Sequence, residues 1–193
     1  MAATELSPSL RRTGRRWLPA GLPVAWLCAY AAVWTATLVA AVLVALAGRA
    51  LALPVRQLLG LTLTAHHNPP PRIGHILALA AHNIPIASWP LLLGLMGAHR
   101  HRLATHIADG VLLACIILNT LPVGAALGAY GAPLLPYIPQ LPLEWAGLAL
   151  GTSGWLLQRR RALTVAEGLG LFALTGGVLL CAAVLETVAV PHR

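Results

Sequence analysis

Five predominantly apolar stretches, separated by short arginine- or proline-rich breaks, leave this chain almost no way to fold in water. They lie at about Leu22–Gly48, Gly74–Gly97, Ile107–Tyr130, Leu143–Leu157 and Gly168–Val190. A helix that crosses a bilayer needs ~20 mostly apolar residues. The fourth stretch falls short of that and is expected to be completed by the proline-rich residues before it. Of the 193 residues, 58% are hydrophobic and 9% charged, against roughly 25% charged in soluble domains. The expectation is an all-α, polytopic membrane helix bundle with about five transmembrane helices. A basic segment over residues 1–21 precedes a single transmembrane domain over 22–193, with no room for a second globular unit.

Arginine sets the expected orientation. All 13 basic residues are arginine, and the formal net charge is +8. Arg11, Arg12, Arg15 and Arg16 precede the first stretch, Arg100 and Arg102 follow the second, and Arg159, Arg160 and Arg161 follow the fourth. With five crossings these share one side, while Arg49, Arg56, Arg72 and Arg193 take the other. The positive-inside rule then gives a cytoplasmic N-terminus and an external C-terminus. Arginine without lysine, in a chain rich in Ala, Leu, Gly and Pro, points to a GC-rich genome and so to a bacterial cytoplasmic membrane. Clustering between spans explains the basic charge, so no nucleic-acid partner is expected; the partner is the lipid bilayer. Ala45-Leu46-Ala47 resembles a signal cleavage site, but the first stretch exceeds the ~7–15 apolar residues of a signal. It is therefore expected to be an uncleaved helix.

Residues 51–63 are apolar but interrupted by Pro54, Arg56 and Gly60, which predicts an interfacial or re-entrant segment. His66 to Pro71 follow as a stiff polar connector. Cys28, Cys115 and Cys181 each lie in an apolar stretch and read as small hydrophobes. His99, His101 and His106 lie near Asp109, but Arg100 and Arg102 interleave with them. No metal is expected there, and Asp109 is expected to pair with a nearby arginine. The chain carries none of the usual hydrolase or nucleotide motifs, so no catalytic residue and no cofactor is assigned.

Polar residues inside apolar stretches carry the functional signal, because an ionisable group in lipid is costly unless paired, protonated or facing water. Glu144 lies near the outer end of the fourth stretch and Glu186 near the outer end of the fifth. His82 and Asn83 lie roughly 12 Å into the second, and Asn119 lies near the middle of the third. These five define a polar belt in the outer half of the membrane. It fits a hydrogen-bond network holding helices together, a hydrated proton or ligand site, or a contact with a partner. A second element, Pro133, Pro136, Pro139 and Pro142, repeats every three residues, as polyproline II does. It predicts a non-helical external segment that caps the bundle or re-enters it, delivering Glu144. Gly124/Gly128 and Gly147/Gly151 match G-x-x-x-G, which favours close helix approach and a homodimer.

Several of these residues together resemble the stage II sporulation protein M family. They are His82-Asn83, the run Pro142-Leu143-Glu144-Trp145-Ala146-Gly147 after the proline-rich segment, and Ala183 to Pro191 around Glu186. The resemblance covers roughly Gly74 to Pro191. It implies a five-span, dimeric, non-enzymatic bundle that organises extracytoplasmic cell-wall-remodelling enzymes. The expected function is accordingly a membrane scaffold that recruits or positions such partners. The alternative is a small transporter or permease-like component that uses the Glu/His/Asn belt for proton or ligand coupling.

Overall fold

The structure, a computed structural model, describes residues 18–60, 73–161 and 163–189. These form helices α1 (Leu22–Ala47), α2 (Arg49–Leu59), α3 (Ile73–Leu95), α4 (Arg102–Tyr130), α5 (Leu141–Arg160) and α6 (Val165–Ala189). Short 3₁₀ helices cover Ala98–Arg100 and Ala132–Tyr137. The basic segment before Leu18 and the His66–Pro71 connector lie outside the described residues.

Four helices, α1, α3, α4 and α6, are long and apolar enough to cross a membrane. The fifth expected span is a different object. It extends to 20 residues as α5, about 30 Å at 1.5 Å per residue, but Glu144, Thr152, Ser153, Gln158 and two arginines lower its hydropathy. Packing explains the composition. Helix α5 sits against α1, α3 and α6, and thirteen of its 20 residues are buried. A helix shielded by other helices does not need the apolar surface that a lipid-facing one needs. The outer helices carry that surface instead: Val24, Leu43, Leu77, Leu118 and Leu169 are all exposed.

Leu22, Leu91, Leu157 and Leu171 form one cluster. It joins the start of α1, the ends of α3 and α5 and the start of α6. That end of the bundle carries Arg100, Arg102, Arg159, Arg160 and Arg161. The opposite end carries α2, the 3₁₀ segment Ala132–Tyr137 and the start of α5.

Small residues set the helix spacings. A Cβ on Gly124 would overlap the Thr37 carbonyl oxygen of α1, and one on Gly128 would overlap that of Ala41. Gly147 faces Leu179 of α6, and Gly151 lies on the Ala87 carbonyl of α3. Both G-x-x-x-G matches are therefore occupied within one chain, and neither is free to dimerise it. Most buried hydroxyls find partners locally, since lipid offers no water to them, while Thr175 Oγ1 has none among the described residues. Thr37, Ser88, Thr120, Thr152 and Ser153 each donate to the carbonyl four residues back.

The segment after α1 and the proline run both take definite forms. The apolar segment after α1 is a helix, α2, with no buried residue, which fits a chain lying along the bundle's end. Arg56 fastens it there. Its Nε donates to the Ala129 carbonyl at 2.9 Å, and its guanidinium lies 5.3 Å from the Tyr130 ring centre. A cation at the last carbonyls of α4 also suits that helix's dipole. The proline run is not polyproline II. Pro133 and Pro136 lie in the 3₁₀ helix, and Pro142 sits in the first turn of α5. A period of three fits both conformations, since the 3₁₀ helix also has three residues per turn.

Candidate functional site

Three of the five polar residues expected in the belt converge. Asn83 on α3, Asn119 on α4 and Glu144 on α5 line a half-open cleft of about 80 Å³, together with Ile86, Trp145 and Leu179. The sequence accounts for each placement. Glu144 falls in the first turn of α5 because Pro142 starts that helix. Asn83 lies one turn before the cleft-lining pair Ile86 and Ala87, so the three share a helix face. Pro90 lacks an amide hydrogen and so cannot serve the Ile86 carbonyl four residues earlier. A loosened stretch of α3 backbone thus borders the cleft, and in lipid such backbone is tolerated where it lines a cavity.

The cleft offers both acceptors and donors, since each asparagine amide carries an oxygen and an NH2 group and the indole of Trp145 carries an N–H. Asn119 Nδ2 donates to the Cys115 carbonyl of its own helix at 2.7 Å, leaving its Oδ1 as an acceptor. Neither Glu144 nor Asn83 has a side-chain hydrogen bond to any described residue, and the ion pairs among described residues involve other groups. Trp145 Nε1 is buried without an acceptor among the described residues. A volume of about 80 Å³ admits more than one water, since a site for one needs only ~10–15 Å³ of this measure.

The other two expected members stand apart. His82 is exposed and does not line the cleft. It precedes Asn83 by one residue, and that step turns a side chain by about 100° around a helix. Glu186 is partly buried near the end of α6 and interacts electrostatically with both Glu144 and His75. It belongs to the cleft's charge environment without forming its wall, and Leu179 represents α6 there.

The arginine-rich end holds the chain's other polar organisation. Asp109 binds Arg159 Nη1 at 2.9 Å and accepts from Trp155 Nε1 at 2.8 Å. The expected pairing of Asp109 with an arginine is therefore present. Arg161 meets Glu167 through both terminal nitrogens, at 3.1 and 2.6 Å. That contact raises the Arg161 guanidinium above its ordinary range. Glu167 also accepts from the Thr164 amide at 3.0 Å, while the Glu167 amide donates to Thr164 Oγ1 at 3.2 Å. The reciprocal pair is a capping box that starts α6. Its signature, Thr164-x-x-Glu167 before an apolar run, stands in the sequence, whereas the Trp155–Asp109 bond has no sequence signal.

The fold and the cleft define a multi-pass helical membrane protein with a polar-lined cavity among its helices. No protein-family model, curated protein or solved structure matches the chain.

Proposed function

We propose that this chain is a small transporter-like membrane component in which Glu144 binds a proton or a small cation. One observation carries the reading. Glu144 opens into a cleft walled by Asn83 and Asn119 from two other helices, and it makes no hydrogen bond or ion pair with any described residue. A carboxylate placed among apolar helices is neutralised by a proton or a bound cation, and the amide oxygens of Asn83 and Asn119 are suited to share either with Glu144. The proposed topology has five spans, with α5 as the protein-shielded fifth, in a bacterial cytoplasmic membrane. The N-terminus is cytoplasmic and the C-terminus external. The grouping of Arg100, Arg102, Arg159, Arg160 and Arg161 at one end supports that orientation.

The scaffold function implied by the sporulation-family resemblance is the competing proposal, and one pair of measurements separates them. Purified protein is reconstituted in liposomes holding a pH-sensitive dye, and a potential is imposed with potassium and valinomycin. Parallel vesicles carry a sodium gradient. The expected result is a cation flux above that of empty liposomes, lost in Glu144→Gln while the protein stays monodisperse. Equal flux from wild type and Glu144→Gln refutes the coupling role. No flux, together with stoichiometric co-purification of external wall enzymes from the native membrane, establishes the scaffold.

A further inference from the structure

A second cavity lies at the opposite, arginine-rich end and has the reverse chemistry. His99, Arg100, Arg102, Thr105, His106 and Arg159 line a cleft of about 370 Å³, within the ~300–1,000 Å³ range of small-molecule sites. Three guanidinium groups meet there. Arg159 is engaged by Asp109, whereas Arg100 and Arg102 make no hydrogen bond or ion pair with any described residue. His99 is held in place by a 3.0 Å hydrogen bond from its Nδ1 to the Gly94 carbonyl.

Backbone donors add to the cations. Helix α4 begins here behind His101, which supplies no side-chain cap. The first helical bond in this turn runs from the Thr105 amide to the His101 carbonyl, so the amides of Arg102, Leu103 and Ala104 have no carbonyl to serve. The 29-residue α4 directs the positive end of its dipole into the same space. The flank is apolar: Met96, Leu103 and Ile107 are among the most exposed hydrophobic residues of this end.

We propose that this cleft binds a phosphate group, and that the phosphate is the headgroup of an anionic phospholipid. The guanidinium forks of Arg100 and Arg102 match phosphate oxygens in pairs. Leu103 and Ile107 offer the adjoining surface for acyl chains, which a free phosphate would not use. Basic pockets between membrane helices on the cytoplasmic side are suited to such headgroups. The site is separate from Glu144 and stands whether or not that residue couples transport.

The test uses the full chain, stripped of lipid in detergent and offered phosphatidylglycerol, cardiolipin or phosphatidylcholine, with bound lipid counted by native mass spectrometry. The expected result is retention of anionic lipid over phosphatidylcholine, weakened roughly thirtyfold in the double variant Arg100→Gln/Arg102→Gln. Arg49→Gln, at the other end of the bundle, should bind as wild type does. Equal losses in both variants would mean diffuse charge attraction and overturn the site. Displacement of the lipid by millimolar inorganic phosphate would assign the cleft to a soluble phosphate instead. Should the double variant aggregate, Arg100→Lys/Arg102→Lys keeps the charge while removing the forks, and undiminished retention there overturns paired-oxygen recognition.

Discussion

Gly124→Ala and Gly110→Ala should change stability in opposite directions, although they add the same methyl to the same helix. Gly110 is exposed, with nothing within 4 Å of an added Cβ. Its replacement gains the intrinsic helix preference of alanine over glycine, about 0.8–1 kcal/mol. Gly124 is buried, and its added Cβ would overlap the Thr37 carbonyl oxygen and reach within 2.8 Å of the Ala40 Cβ. The obstacle is backbone, which cannot rotate away, so α1 and α4 must separate. Overpacking of this kind costs about 1–3 kcal/mol, and the propensity gain offsets only part of it. Gly128→Ala meets the Ala41 carbonyl in the same groove. The double variant should therefore cost less than the sum, because one separation relieves both clashes. The assay is reversible unfolding in mixed micelles, followed by tryptophan fluorescence and paired with a measurement of oligomeric state. If Gly124→Ala stabilised the protein as Gly110→Ala does, or only shifted a monomer–dimer equilibrium, the close α1–α4 contact would be refuted.

Asp109 gives a graded series. Asp109→Asn should cost no more than about 1 kcal/mol, since Arg159 is 43% exposed and such ion pairs are weak. Asp109→Ala also strands the indole of the buried Trp155, adding about 1–3 kcal/mol; tryptophan emission on unfolding ranks the two. Glu167→Ala removes the capping box of α6 and should cost about 1–2 kcal/mol, with faster hydrogen exchange confined to the first turns of α6. Arg56→Leu should release α2 from the Ala129 carbonyl and the Tyr130 ring. Exchange over 49–59 should rise while the remaining helices stay protected.

Where the sequence was legible, a single periodicity or cost decided the outcome. Apolar length places α1, α3 and α6 to within about three residues and α4 except for its polar first turn and a half, because lipid-facing helices must be apolar all round. Apolar length recovers only 143–157 of α5, because hydropathy measures exposure to lipid and α5 is covered by protein. Asn83, Asn119 and Glu144 were legible because polar groups in apolar stretches must turn toward one another. His82 was not, since a one-residue step changes its face and only the packed rotation of α3 fixes that. The proline repeat gave the right period and the wrong conformation, because two helices share three residues per turn. The clamp of Arg56 on α4 joins residues 73 apart in the chain, and nothing in local composition announces it.

Helix α4 is 29 residues long and α5 is 20, about 43 Å and 30 Å respectively. A hydrocarbon layer of about 30 Å leaves roughly 13 Å of α4 over. The surplus corresponds to the first two turns of α4, Arg102 to Asp109, where Thr105, His106 and Asp109 are polar. The rest, from Gly110 to Tyr130, measures about 31 Å and ends beside Arg56. The chain therefore carries its own gauge of bilayer thickness. A thicker membrane would draw Asp109 and Arg159 into hydrocarbon, and a thinner one would strand Leu112 in headgroups. Such a mismatch costs fractions of a kcal/mol per ångström, enough to bias which membranes, or which regions of one membrane, this bundle occupies.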